Sequence, residues 1–395
     1  MKRGCESTPS FLFMRRHNLS LVLLCLAAVT AVFAETDTVS VASPDGQLVL
    51  RLFIVSPKDA ILVRLAYSVS YRGKLLMDTS LLGIALHDQE VFLGETVGLV
   101  SAKQESGATL GNHYNSLIAQ YIQNGSLGRR TTIEARAYDD GVAFRYYIPR
   151  TSTVEDLMIE EELTDFHFAQ DGNAYAAVLS DYESGKGEYS RTKLSEIQRT
   201  SLIALPFLVE QPGVGWVAIT EAQLDNYPGM SVFHPEGTTM RTTLSPLFND
   251  ASMAMHGMTP AETPWRVLMV APEPRKLLAS GIVKNLNPAS AIADTSWIKP
   301  AKNYFAITYS ADLADHLEEE LARAQGSGAA GVTLDMMHRS DQEMIGFYRR
   351  AAKAAADHHL MIEFLNGPTP DGIERTWPNV LPREDTPFKR LLGSF

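Results

Sequence analysis

The stretch Gly331–Tyr348, GVTLDMMHRSDQEMIGFY, decides how the C-terminal part of this chain folds. A short apolar run ends on one carboxylate, Asp335, and two methionines, a polar cluster and a helical pattern follow. An apolar run of about four to eight residues passing into a 3.6-residue period reads as a buried strand feeding a helix. In proteins built from such units, functional groups gather where strands end, because the loops there line the crevice. Asp335 is therefore a chemical group at a rim, a turn cap, or the partner of Arg339. Spacing alone leaves these open.

The surrounding text repeats the unit. YFAITYS (304–310) and HLMIEFL (359–365) read as two more strands, while ADHLEEELARAQGSG (314–328) and DQEMIGFYRRAAKAAADHH (341–359) carry helical spacing. Alternation of this kind predicts parallel pairing. Only three strands fit after DTSWIKP (294–300), whereas a closed (β/α)8 barrel needs about 250 residues. The expectation is an incomplete (β/α)8 barrel over residues 298–395.

Upstream, residues 35–297 read as β structure and predict an N-terminal β-sandwich. VSVASPDGQLVLRLFIV (39–55) sets a Pro-Asp-Gly turn between alternating runs, and LAYSVSYRGKLLM (65–77) does the same around Arg72-Gly73. TTIEARAYDDGVAFRYYIP (131–149) reads as a hairpin with an Asp140-Gly141 turn and with Val142, Phe144 and Tyr146 on one face. SLIALPFLVE, GWVAITEA and TPWRVLMVA continue the pattern. The fold class is thus multidomain, β followed by α/β.

Residues 1–34 read as a signal peptide. Arg15 and Arg16 precede LSLVLLCLAAVTAVFA, an apolar core closing on small residues at Ala34. The run is too short for a membrane span, and no later segment suggests one. This segment carries four basic side chains and one acid, so the remainder carries −14 against −11 for the whole chain. Both cysteines, Cys5 and Cys25, lie in it. The expected secreted or periplasmic protein has no disulfide and no thiol nucleophile, and its acidity disfavours nucleic acid.

Other polar residues are less specific. His338 stands without a spaced partner, and His358-His359 close a helix, where positive charge suits the dipole. Glu188, in SDYESGKGEYSRTKLSEI, and Glu384, in NVLPREDTP, lie on loops. Loop carboxylates serve hard cations such as calcium, but every solvated loop carries them. The run Glu160-Glu161-Glu162 reads as a solvated strand edge. Motifs for nucleotide binding, zinc hydrolysis and a serine triad are absent from the sequence.

Taken together, SPDGQL, GNHYNSL, EARAYDDGVAFRYYIP, LSEI, NYPGM, TPWRV, NLNPASAIADTSWIKP and RTWPNV resemble glycoside hydrolase family 97. These strings run in the family's order along nearly the whole chain after residue 34. The resemblance implies a β-sandwich, a catalytic (β/α)8 barrel and exo-acting hydrolysis of α-glycosides or oligosaccharides, as by α-glucosidases and α-galactosidases. It places Asp335, in LDMMHRSDQ, at the nucleophile of the retaining branch, with Asn366 where the inverting branch carries its base. It also implies calcium, held by Glu188 and Glu384, with Glu183 as an alternative to Glu188. Three departures stand against the family pattern. Few βα units precede Asp335; Leu365-Asn366 replaces a histidine-glycine pair; and DTPFKRLLGSF follows Glu384 where a general acid is expected. On that pattern the chain reads as truncated, and the alternative to an impaired hydrolase is a non-catalytic carbohydrate-binding homologue.

Overall fold

The computed structural model describes residues 34–56, 62–125, 128–150, 154–185, 187–299, 303–310, 312–383 and 385–395. Apart from Ala34, the expected signal peptide lies outside them. Among the described residues no helix is long and apolar enough to cross a membrane.

The turn signals produce the hairpins they predict. Ala34–Ala42 pairs antiparallel with Leu48–Ser56 across the Pro-Asp-Gly turn. Arg64–Tyr71 pairs with Lys74–Leu81 across Arg72 and Gly73, both left-handed, at φ 52° and 75°. That two-residue turn matches the right-handed twist of the flanking strands. Arg130–Tyr138 and Gly141–Ile148 pair across Asp139-Asp140, one residue earlier than the sequence suggested.

These hairpins form sheets stacked face to face. A ten-stranded antiparallel sheet, counted among the described residues, has Trp265–Ala271 between Gly215–Ala222 and Gly141–Ile148. Its inner face supplies Leu117, Ile133, Phe144 and Tyr146 to a core shared with Leu50, Leu52 and Tyr67 of the four-stranded sheet. The rings of Tyr67 and Phe144 meet at 4.8 Å. Its outer face is also covered: Ala143, Ala218 and Met269 pack with Leu277, Ile282, Phe388 and Leu392. Both faces being buried explains why the run 267–271 is apolar without alternation. The result is a sandwich, mostly β.

The acidic run departs from expectation. Glu162 is 1% exposed, not solvated. Leu157 and Ile159 point inward, and the register then shifts between Ile159 and Glu161. Such a shift flips the alternation by one residue, so Glu162 takes the inward place that a regular strand gives Glu161.

After residue 303 pairing becomes parallel. Tyr304–Thr308, Gly331–Asp335 and Met361–Leu365 form a three-stranded sheet with Gly331–Asp335 in the centre. Gly331 admits no side chain, since a Cβ there would stand 2.6 Å from the Met361 carbonyl oxygen. Helices Leu313–Gly326 and Gln342–Asp357 touch each other and pack on this sheet through Leu317, Leu321, Phe347, Tyr348 and Ala351. Asp341 caps the second helix by accepting from the Met344 N–H at 3.2 Å. Tyr304–Thr308 is an edge strand and only half-buried, because among the described residues its outer side has no neighbour.

Candidate active site

Gly331–Asp335 delivers one carboxylate to the end of the parallel sheet, half-buried. Pairing does not stop at Asp335. The Met336 N–H donates to the Leu365 carbonyl at 2.9 Å and the His338 N–H to that of Asn366 at 2.9 Å. Between these bonds the chain bends sharply: Met337 and His338 lie at φ 53° and 61°, and Asn366 at 51°. Left-handed conformations in non-glycine residues concentrate where the surrounding structure over-determines a functional geometry. The bend lets Asp335 Oδ1 accept from the Met337 N–H at 2.9 Å, while the Asn366 side-chain amide donates to the same oxygen at 3.0 Å.

The proposed pairing of Asp335 with Arg339 does not form. Arg339 is buried and turns to Asp341, its Nε 2.8 Å from Oδ2 and its Nη2 3.0 Å from Oδ1. Its guanidinium also lies over the exposed ring of Phe248, 4.1 Å from the centroid. Asp341 thus caps the helix and holds Arg339, and Asp335 keeps its own environment.

Sandwich loops clamp the turn that follows Asp335. Ser340 bonds Ser245 through their hydroxyls at 2.7 Å and accepts from the Gly229 N–H at 2.7 Å. Gln342 donates to the His256 carbonyl at 2.7 Å and accepts from its N–H at 3.0 Å. His338 packs its ring on Gly185, where a Cβ would stand 3.1 Å from Cε1. The loop bearing Glu183 and Glu188 is thereby brought to the rim.

Glu188 itself is solvated. Its carboxylate, 86% exposed, lies 3.6 Å from the Arg390 guanidinium, which also bonds Asp385 at 2.8 Å. Glu384 lies outside the described residues, so its convergence with Glu188 is not part of this geometry. Among the described residues no group of three His, Cys, Asp or Glu side chains is arranged to hold a metal ion. The corner nonetheless places two loop carboxylates about one positive charge, and carboxylate oxygens are the donors a hard cation takes.

The helix-closing histidines contact their neighbours: His358 Nε2 lies 2.9 Å from Glu318, and His359 stacks on Trp297. A cavity of about 380 Å³ opens between helix Pro387–Ser394 and the sandwich, lined by Tyr189, Met269, Leu277, Arg383 and Phe388. Asp335 is not among its lining residues.

Sequence reasoning missed two buried carboxylate networks. Arg266 Nε donates to Glu162 Oε1 at 2.8 Å and its Nη1 to Glu221 Oε2 at 3.0 Å, all three side chains being sealed from water. Tyr227 donates to Glu162 at 3.0 Å. Burial pushes the Glu221 carboxyl up from its ordinary 4.5 to about 7, against the opposing pull of Arg266 and the Met230 N–H. Asp371, fully buried, accepts from the Leu224 N–H at 2.9 Å and from Arg349 at 2.8 Å. It ties the sandwich to the parallel unit.

Known proteins resemble the chain along most of its length. Residues 41–288 match the glycosyl-hydrolase 97 N-terminal family, and residues 297–386 match glycoside hydrolase 97. The chain is 24% identical over 476 residues to a retaining α-galactosidase of Bacteroides thetaiotaomicron, covering 92% of this chain and 69% of that protein. It is likewise 24% identical to a probable retaining α-galactosidase of Streptomyces bingchenggensis, over 94% of this chain and 70% of the relative. A solved family 97 enzyme from Pseudoalteromonas, in complex with acarbose, superimposes with a TM-score of 0.75 at 18% identity. That match covers 86% of this chain and 68% of the enzyme, and shows a common fold.

Proposed function

The chain belongs to glycoside hydrolase family 97, and from that premise we propose that it hydrolyses terminal α-glycosides with retention at the anomeric carbon. The single observation that carries the reading is the Asp335 carboxylate, half-buried at the end of the central parallel strand and fixed through one oxygen. A retaining nucleophile needs an ionised carboxylate held in a fixed position, and the end of a central strand provides one. Names of the relatives favour an α-galactoside over an α-glucoside. The parallel strands with helices on one face support reading residues 298–395 as a segment of a (β/α)8 barrel.

In the proposed reaction Asp335 attacks the anomeric carbon and the bond to the leaving oxygen breaks. A second carboxyl group about 5–5.5 Å away would protonate that oxygen and later activate water. Glu188 and Glu384 would hold calcium, which when bound supplies positive charge beside the sugar hydroxyls. Export to the periplasm or outside the cell, with an oligosaccharide as substrate, belongs to the same reading.

The test uses aryl α-galactosides and α-glucosides, whose leaving groups need little protonation. A 5-fluoro-α-glycosyl fluoride, which forms its ester faster than the ester is hydrolysed, should add one sugar mass to the peptide bearing Asp335. Absence of both turnover and label in folded protein overturns the hydrolase reading. Retained binding of sugar to that inert protein would then favour a carbohydrate-binding role.

A further inference from the structure

Both hydrogen bonds to Asp335 fall on the same atom. The Met337 N–H and the Asn366 side-chain amide donate to Oδ1, at 2.9 and 3.0 Å, and among the described residues no donor reaches Oδ2. A carboxylate held at one oxygen cannot spin about its Cβ–Cγ bond without breaking both bonds. Its second oxygen keeps its lone pairs in a fixed direction. We infer that Oδ2 is the attacking oxygen and that Asn366 is the residue positioning it, an inference resting on the hydrolase reading above.

The surroundings of Asn366 are built for that task. Its φ of 51° turns the side chain back from the end of strand Met361–Leu365 towards the neighbouring strand. Its carbonyl accepts the His338 N–H, so the two strand-end loops are tied in both directions. On its far side Arg383 donates to the carbonyls of Gly367, at 3.2 Å, and Pro368. Asparagine tolerates the left-handed conformation better than most residues, and its amide supplies the N–H that Oδ1 needs.

In the step assigned here, an Oδ2 lone pair forms the bond to the anomeric carbon. The bond from that carbon to the leaving oxygen breaks, and its electron pair departs with the leaving group, which takes a proton from the general acid or solvent. Water then attacks the same carbon and the ester bond to Oδ2 breaks. The water's second proton passes to solvent and the carboxylate is restored. Oδ1 stays hydrogen-bonded throughout.

Two variants separate side chain from backbone. Asn366→Gly keeps the left-handed conformation at no steric cost and removes the amide. Asn366→Asp keeps the shape and sets a second carboxylate against Oδ1. Misplacement of a reacting group by about 1 Å costs on the order of 10²-fold. With an aryl α-galactoside, Asn366→Gly should therefore lose about 10- to 100-fold in kcat, with KM and melting temperature near wild type; Asn366→Asp should lose more. An active wild type whose glycine variant keeps full kcat overturns the role of Asn366 alone. A folded wild type with no turnover overturns attack by Oδ2 together with the hydrolase reading. One readout needs no turnover: Asp335→Ala should move the side-chain amide resonance of Asn366 in a ¹⁵N spectrum. An unmoved resonance overturns the inference at its root.

Discussion

Two carboxylates of this molecule are held in opposite ways. Glu162 is sealed inside the sandwich and fully spent: Arg266 takes both its oxygens, and Thr164 and Tyr227 donate as well. Asp335, at the rim of the parallel sheet, is half-buried and held through Oδ1 alone. A buried charge must be paired and hydrogen-bonded or it destabilises the fold. A reacting carboxylate must instead keep an oxygen in reserve. On the proposed reading, what separates the structural acid from the chemical one is how many of its lone pairs remain uncommitted.

The sharpest way to break that contrast is to neutralise each acid's function. Asp335→Asn preserves the acceptor at Oδ1 and removes the proposed nucleophile. Turnover of aryl α-glycosides should fall by at least about 10³-fold, or about 4 kcal/mol in barrier. The melting temperature should hardly move, since one exposed rim is all that changes. If the protein unfolds instead, Asp335 is a structural cap and the contrast fails.

Arg266→Met is the converse. It leaves Glu162 and Glu221 buried with no cation between them, and removing one partner of a buried pair costs about 3–5 kcal/mol. Thermal unfolding should show a large loss of stability. Residual folded protein should retain its kcat, because the network lies in the sandwich core and touches neither Asp335 nor Asn366. Unchanged stability would mean that Arg266 does not pair these acids.

Legibility in the sequence follows the same divide. Local signals worked: Pro-Asp-Gly and Arg-Gly marked two hairpins, a third turned one residue before its Asp-Gly, and GVTL followed by Asp335 placed that acid at a strand end. Asn366 stood out only by resemblance, because its bond to Asp335 spans 31 residues. The partners of Arg266 are 104 and 45 residues distant, and no spacing rule reaches so far. Glu162 was misread for a different reason: the irregularity beside it reverses which residue faces inward, and periodicity cannot see a bulge.

Glu221 offers a gentler probe of the buried side. Its carboxyl is raised to about 7 in the folded protein, mainly by burial. With an unfolded value near the ordinary 4.5, the folded state binds the extra proton between those limits. The stability this contributes is complete below about pH 4.5 and is lost as pH rises to about 7, to the extent of about 3 kcal/mol. Glu221→Gln, which cannot titrate, should flatten that part of the stability–pH curve. An identical slope in the variant would assign the titration elsewhere.

The smallest effect expected lies at the loop carboxylates. Glu188 and Asp385 flank the Arg390 guanidinium at 3.6 and 2.8 Å. A calcium ion drawn to Glu188 would meet that positive charge and compete with it for the same oxygens. Arg390→Ala removes the competitor, so calcium should bind the variant more tightly, by severalfold at most, because exposed charges are screened by water and salt. Calcium binding to the folded state raises the melting temperature by mass action, and the midpoint of that rise reports the affinity. In the variant the midpoint should move to lower calcium, and Glu188→Gln should move it back. Should the wild type show no calcium response, with chelator also without effect, Glu188 holds no metal. Should Arg390→Ala leave an existing response unmoved, the metal lies away from this corner, and Glu188 then joins Glu162 among the acids whose partner is an arginine.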